Sequence, residues 1–123
     1  MMWRATGNWQ RATLLAFALA APLFAAPPTT CSGGSAYDQS LCAYQRRRFA
    51  EAEAGFRAIV DKGAEEPQTI RALYFLARTL MKRGRYDEAS TLLIRIYELD
   101  PQFYRGWNGD FLLGECRRAL GKG

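Results

Sequence analysis

The sequence contains no histidine, and its three cysteines include no pair at the close spacing of a metal-binding or redox motif. The commonest general base and the commonest metal ligands of proteins are therefore missing or scarce. The acidic residues that are close in sequence, Glu51 with Glu53 and Glu65 with Glu66, diverge or face water on a helix and do not form a catalytic pair. We predict a protein that is not an enzyme and that uses no metal and no cofactor.

A hydrophobic run long enough to cross a membrane is also missing. The longest run, residues 12–26 (ATLLAFALAAPLFAA), is shorter than the ~20 residues that a spanning helix usually needs. Arg4 and Arg11 flank its polar start, and small residues and two prolines end it, which is the layout of a secretory signal peptide. We predict a cleavable signal peptide at residues 1–26 and a periplasmic or secreted mature protein with no membrane span. The alternative is a protein anchored by an uncleaved N-terminal signal.

Strong charge of one sign is absent from the predicted mature chain. Removing 26 of the 123 residues, which include two arginines, leaves 97 residues and lowers the formal net charge from +5 to +3. Such a chain is long enough for one domain with one core. A modest positive charge favours acidic partners, and we do not expect an exported protein of this kind to bind nucleic acid.

No stretch has the alternating pattern of a strand, whereas residues 70–101 have the pattern of two short amphipathic helices. Gly84 interrupts the helical periodicity, and Asp100-Pro101 ends it. The apolar positions are Ala72, Leu73, Leu76, Ala77 and Leu80 in the first helix, and Tyr86, Ala89, Leu93 and Ile96 in the second. A helical hairpin of this kind leaves one apolar flank uncovered, so it needs similar hairpins beside it.

The chain matches itself at an offset of 37 residues. Phe49 and Ala52 align with Tyr86 and Ala89, and Gly84 aligns with Gly121. The aromatic position of Tyr74 recurs as Tyr37 in the copy before it and as Phe111 in the copy after it. The sequence therefore predicts first helices at 36–47, at 67–83 and from 101 or 104 to 120, and second helices at 49–62 and 86–99. A flexible segment at 27–34 precedes a repeat domain at 35–121, with Ser35 and Asp38 as a capping box and Gly63 after the second helix.

Export would permit a disulfide, and we favour the pair Cys31–Cys42. A chain reversal at Gly33-Gly34 can bring these residues together, and the bond would tie the N-terminal strand onto the domain. The alternative pair, Cys42 with Cys116, joins equivalent positions two repeats apart, farther than the ~7 Å between α-carbons that a disulfide allows. Cys116 is then expected to be a free, semi-buried thiol.

The middle copy resembles the tetratricopeptide repeat. The packing positions of that motif are occupied by Leu73, Leu76, Ala77, Leu80, Gly84, Tyr86, Ala89, Leu93, Ile96 and Pro101. The resemblance implies an all-α solenoid of about two and a half helix-turn-helix repeats, in which the flanking copies depart from the motif as end caps. With its signal peptide, the chain is also similar to exported repeat proteins such as the Tol–Pal-associated cell-division coordinator and outer-membrane assembly proteins.

The resemblance implies a non-catalytic binding module for a protein or peptide of the cell envelope, with a concave groove lined by the first helices. The groove positions of the family fall on Tyr37, Leu41, Tyr44, Arg71, Tyr74, Arg78, Met81, Lys82, Asn108, Phe111, Glu115 and Arg118. This mixture of aromatic rings and cations suits an extended peptide with acidic or C-terminal carboxylate character. Alternatively, Tyr37, Tyr74 and Phe111 pack one first helix against the next, and the cations are solvated. The carboxylate clamp of chaperone adaptors does not transfer, because Phe75 stands where that clamp needs asparagine.

A second function is also open. The final half-repeat and Trp107 would provide a surface for self-association, giving a homo-oligomer, or for docking into a larger envelope assembly. The run Arg46-Arg47-Arg48 is read as a charged turn, and contact with an anionic lipid or polymer is its alternative.

Overall fold

The computed structural model describes residues 31–63 and 67–122, and these residues form six α-helices and no strand. The predicted signal peptide, residues 27–30 and the loop at 64–66 lie outside the described residues. The helices are α1 (Ala36–Gln45), α2 (Phe49–Asp61), α3 (Pro67–Lys82), α4 (Tyr86–Leu99), α5 (Pro101–Gly106) and α6 (Gly109–Ala119). The predicted all-α class is confirmed.

The start of α1 is fixed by its cap and by a disulfide. The Ser35 hydroxyl accepts a hydrogen bond from the Asp38 amide, and the Ser35 amide donates to the Asp38 carboxylate at 3.1 Å. These bonds form the predicted capping box and satisfy backbone donors that a helix start leaves free. Cys31 and Cys42 form the predicted disulfide, so the segment before the cap is tied onto α1.

Successive helices pack side by side from α1 to α4, and α5 and α6 then pack against α4. The core lies mainly under α3, whose leucines at positions 73, 76 and 80 are fully buried. Alanines at positions 52, 77 and 89 are also fully buried, and their small side chains permit the close approach of neighbouring helices. Gly55 has the same role in the first pair, because a Cβ there would lie 2.1 Å from Ser40 Oγ. The repeat therefore depends on small residues at helix crossings and on leucines between them.

Three turns of the same geometry follow α1, α3 and α6 at intervals of 37 residues. In each turn an amide hydrogen-bonds to the carbonyl five residues earlier, which ends the helix, and the residue before that amide has a positive φ. The bonds are Arg48 to Ala43 at 2.8 Å, Arg85 to Leu80 at 2.9 Å and Lys122 to Arg117 at 2.8 Å. The positive-φ residues are Arg47, Gly84 and Gly121. The predicted 37-residue period is thus a period of the backbone as well as of the sequence.

The prediction of one continuous third first-helix is wrong. Its residues form two helices, α5 and α6, separated by Trp107 and Asn108, and Asn108 has a left-handed φ of 61°. Asp100 starts α5 by accepting a hydrogen bond from the Phe103 amide at 2.9 Å. Gly109 starts α6 where a Cβ would lie 2.2 Å from the Tyr104 ring. The glycine permits α6 to begin directly against α5, so the break results from packing.

Four predicted helix ends are shifted by one or two residues, the last of them from residue 120 to Ala119. The first helix ends at Gln45 because Arg46 and Arg47 already belong to the turn, while α2 and α3 each end one residue early. Gly63 follows α2 with a φ of 69°, as predicted. Cys116 is free, but it is fully buried rather than semi-buried.

Within residues 31–63 and 67–122, no helix has both the length and the apolar character that crossing a membrane requires.

A cluster of ions joins α2 to the turn between α3 and α4. The Glu53 side chain, 13% exposed, contacts Arg57 at 3.1 Å, Arg83 at 3.1 Å and Arg85 at 2.7 Å. Glu88 contacts Arg57 and Arg85 from the other side. Burial opposes the ionisation of Glu53, but hydrogen bonds from Arg85 and Arg57 and the charges of Arg85 and Arg83 prevail, so its pKa is lowered.

Candidate functional site

Aromatic rings fill the middle of the predicted groove, and Phe75 lies at their centre. Its ring is 5.5 Å from that of Tyr44, 5.2 Å from that of Tyr74 and 5.8 Å from that of Phe56, which is stacked on it. Trp107 closes the far end, with its ring 5.0 Å from that of Tyr74. These edge-on and stacked contacts are the arrangements that aromatic pairs prefer. The centre of the predicted groove is therefore packed.

The predicted groove residues of α1 belong to this packing. Tyr37, Leu41 and Tyr44 are half-buried and pack against the core. Burial raises the pKa of the Tyr37 hydroxyl, and the charge of nearby Arg71 partly offsets that effect. Tyr74, only 7% exposed, likewise serves packing. The packing alternative describes Tyr37 and Tyr74 well.

An open cleft of about 530 Å³ remains between α3 and α6, and we call it the α3–α6 cleft. It gathers six of the twelve predicted groove residues in one place. These are Arg78, Met81, Lys82, Phe111, Glu115 and Arg118, joined by Tyr86, Leu112 and Ala119.

The α3–α6 cleft has an excess of positive charge. Arg78 is held in place because its guanidinium lies 5.8 Å from the centres of both the Tyr44 and Tyr74 rings. Lys82 is exposed one helical turn further along α3. On the opposite wall, Arg118 forms an ion pair with Glu115 of the same helix. The pair cancels its own charge, so the positive charges of Arg78 and Lys82 determine the sign of the cleft.

The opposite wall also carries an exposed aromatic ring. Phe111 is 63% exposed, the highest value among the large hydrophobic side chains of the described residues that are notably exposed. Although the 37-residue offset equates Phe111 with Tyr74, the two side chains have opposite environments. Tyr74 lies on α3 with helices on both sides, whereas α6 packs on α4 and α5. A free ring beside two cations can bind an apolar side chain next to an acidic one.

Besides the packed Tyr37, Leu41, Tyr44 and Tyr74, two predicted groove residues lie outside the α3–α6 cleft. Arg71 is an exposed residue near the start of α3, close enough to Tyr37 to affect its pKa. Asn108 has the left-handed conformation that separates α5 from α6, so its backbone has a structural role. The sequence offset equated Asn108 with Arg71, inside a helix, and therefore gave no sign of the break.

Two side chains of the site were not predicted. Phe75 was noted only as the residue that excludes a carboxylate clamp, yet it is the hub of the aromatic packing. Tyr86 was assigned to helix packing, yet it lines the cleft from α4. Phe75 lies in sequence between the predicted groove residue Tyr74 and the core residue Leu76, and this position is the signal that could have indicated it.

A second cleft, of about 450 Å³, lies on the flank formed by α4, α5 and α6. We call it the α4–α6 flank, and its lining combines apolar side chains with charges of both signs. The lining residues are Ile94, Tyr97, Tyr104, Arg105, Asp110, Leu113 and Arg117. Burial and the neighbouring Asp110 carboxylate raise the pKa of Tyr104 to about 12. Trp107 is not among the lining residues; it stacks on Phe103 at 4.8 Å.

The sequence has no histidine, and among the described residues no cysteine lines either cleft. In the described part of the chain, no group of three or more histidine, cysteine, aspartate and glutamate side chains could hold a metal ion. Cys116 is buried, and burial raises the pKa of its thiol, which disfavours the nucleophilic thiolate. The open shape and mixed lining of the α3–α6 cleft suit the binding of a ligand.

An array of packed helix pairs with an open cleft is the architecture of a helical-repeat interaction protein. Residues 43–107, more than half of the chain, match the family model described as tetratricopeptide repeat. The protein belongs to that family, whose members generally mediate protein–protein interactions as scaffolds. No curated protein and no solved structure matches the chain.

Proposed function

We propose that this protein is an adaptor that binds an extended peptide segment of a partner protein in the α3–α6 cleft, and that the segment is acidic or ends in a carboxylate. One observation carries the proposal: the fold brings six separately predicted groove residues from α3 and α6 into a single open cleft. The fixed cation of Arg78, the neighbouring Lys82 and the exposed Phe111 ring supply charge recognition and apolar contact side by side.

We place this function in the cell envelope, in a periplasmic or secreted protein. The disulfide Cys31–Cys42 fits an oxidising compartment, and the basic, apolar and small-residue order of residues 1–26 supports export. The resemblance to exported repeat proteins of the Tol–Pal and outer-membrane assembly type supports the same location and suggests an envelope protein as partner.

Charge reversal in the α3–α6 cleft tests the adaptor function. The probe is a fluorescent decapeptide rich in aspartate and glutamate with a free C-terminus, and its anisotropy is measured at low ionic strength with the purified, disulfide-bonded protein. Lys82→Glu replaces attraction by repulsion in the cleft, so we expect about tenfold weaker binding. Arg95→Glu makes the same change of net charge on the exposed surface of α4 and should alter binding less than about twofold. Equal losses in the two variants would mean unspecific charge attraction and would contradict the proposal.

A second candidate function is self-association through the α4–α6 flank. Ile94 and Tyr97 are 44% and 48% exposed, and Asp110 lies in the same cleft as Arg105 and Arg117. Across a two-fold axis, the acid of one copy can face a base of the other. Sedimentation over a range of concentrations tests this function. Tyr97→Lys should abolish a dimer, while Leu99→Lys, at an exposed position outside the flank, should leave it intact. A wild-type protein that stays monomeric at high concentration would exclude this candidate.

A further inference from the structure

The two cations of the α3–α6 cleft have a fixed spacing. Arg78 and Lys82 are four residues apart on α3, so they lie on one face of the helix and ~6 Å apart along its axis. Contacts with the Tyr44 and Tyr74 rings restrict the side chain of Arg78. The wall formed by α3 therefore presents two positive charges one helical turn apart.

Both cations are available to a ligand. Among residues 31–63 and 67–122, neither Arg78 nor Lys82 forms an ion pair with a carboxylate. Arg78 makes one long hydrogen bond, 3.4 Å, to the Tyr74 hydroxyl, and most of its five N–H donors stay free. Arg118, the third cation of the cleft, is already paired with Glu115.

The wall formed by α6 contributes apolar side chains to the same cleft. Phe111, Leu112 and Ala119 line it, together with the neutralised Glu115–Arg118 pair. An extended peptide places alternate side chains on opposite sides, and side chains on one side repeat every ~6.6–6.8 Å. That repeat matches the spacing of Arg78 and Lys82, whereas adjacent residues would point to opposite walls.

We infer that the ligand is an extended segment in which two acidic residues flank one apolar residue. The two carboxylates pair with Arg78 and Lys82 on the α3 wall, and the residue between them packs on Phe111 of the α6 wall. This inference rests on the proposed peptide-binding function and specifies the sequence pattern that the cleft selects.

Two isomeric peptides test the spacing. Their cores are Asp-Phe-Asp and Asp-Asp-Phe, each flanked by Gly-Ser and Ser-Gly, with an acetylated N-terminus and an amidated C-terminus, so composition and charge are identical. Binding is measured at low ionic strength by amide chemical shifts of the ¹⁵N-labelled, disulfide-bonded protein. Because the adjacent isomer loses one exposed ion pair, we expect it to bind about two- to fivefold more weakly. The largest shifts should occur in α3 and α6.

A double-mutant cycle identifies the partner of each carboxylate. Replacing either aspartate of the alternating peptide by asparagine should weaken binding to the wild-type protein. For one of the two positions, this effect should vanish in Lys82→Gln and persist in the control Arg95→Gln. Phe111→Ala should weaken binding of the alternating peptide, because its central residue then loses its contact on the α6 wall.

The outcomes separate this inference from the proposed function. Equal affinity for the two isomers, with both weakened by Lys82→Gln, would overturn the alternating pattern and leave acidic-peptide binding intact. Tighter binding of the adjacent isomer would do the same. If neither these peptides nor the carboxylate-terminated decapeptide shifts α3 or α6 resonances, both proposals are wrong.

Discussion

Single residues decide the turns of this repeat, and Gly84 is the clearest case. It has a φ of 79°, and a Cβ at this position would meet no atom within 4 Å. Any cost of a side chain here is therefore conformational. Arg47 holds the equivalent position with a φ of 62°, so the first turn tolerates a conformation that favours glycine.

Gly84→Ala should lower the free energy of unfolding by about 1 kcal/mol, because the left-handed conformation is unfavourable for alanine. Gly106→Ala is the matched control. This glycine lies in α5 without a positive φ, and a Cβ there would also meet no atom within 4 Å. The control should be neutral or slightly stabilising, since alanine favours the helix. Urea denaturation measures both, and equal effects would show that the backbone conformation at Gly84 does not matter.

Glu53 is the acidic centre of the ion cluster that joins α2 to the turn after α3. Glu53→Gln removes the charge that three arginines share, so we expect a loss of about 1–2 kcal/mol in the free energy of unfolding. Glu51→Gln is the control on the same helix. Glu51 is exposed and 3.7 Å from Arg48, and its loss should be below about 0.5 kcal/mol.

The pKa of Glu53 also sets a pH dependence. Because the pKa is lower in the folded than in the unfolded protein, this residue stabilises the fold above its unfolded pKa of about 4.5. The contribution is lost as the pH falls through the lower, folded value. Denaturation curves from pH 7 to acid should therefore show the wild type losing its advantage over Glu53→Gln below about pH 5. A difference that stays constant with pH would contradict this account.

Among the elements, α1 depends most on a covalent bond. Its buried residues are only Ser40 and Ala43, so it contributes little apolar area to the core. The disulfide between Cys31 and Cys42 compensates by restricting the unfolded chain over a separation of 11 residues.

Replacing both cysteines of the disulfide by alanine should lower the free energy of unfolding by about 3 kcal/mol on the loop-entropy model. Reductant should destabilise the wild type by a similar amount and should not affect the variant, which keeps Cys116. Circular dichroism during urea denaturation, with and without reductant, measures both. A wild type that is insensitive to reductant would show that the bond does not support the fold.

The same elements show how far sequence reasoning extends. Both ends of α4 were predicted, because Gly84 and Asp100-Pro101 are strong local signals. The break between α5 and α6 was missed, because it depends on the fit of Gly109 against the Tyr104 ring, a contact between separate helices. Periodicity identifies helical residues, but it does not reveal a break between two consecutive helices.

For the molecule as a whole, the sequence predicts a groove along all three first helices, whereas the structure has an open cleft between α3 and α6 only. Position in the array explains the difference. Residues of α1 and the centre of α3 are enclosed by neighbouring aromatic rings, while Phe111 of α6 has no ring over it among the described residues. The 37-residue offset treats Tyr74 and Phe111 as equivalent positions. Their exposure differs because they have different numbers of neighbouring helices.

Cys116 offers a probe of opening in the last part of the array. Cys116 is a fully buried residue of α6, and burial raises the pKa of its thiol. Its reaction with Ellman's reagent should therefore be far slower in the native than in the unfolded protein, and it should accelerate when α6 separates from α4. Labelling that accelerates at lower urea than the loss of overall helicity would show that α6 opens first. Native labelling as fast as in the unfolded chain would contradict the buried position.

The turn at Gly121 repeats the turn at Gly84, which directs the chain from α3 into α4. A designed helix fused after this turn would therefore start in the direction in which α4 leaves α3. Asp110→Leu and Arg117→Leu would reproduce the leucines of the middle copy at positions 73 and 80. These leucines would provide an apolar surface for the added helix to pack against. The repeat array can thus be lengthened by a designed helix after the turn at Gly121.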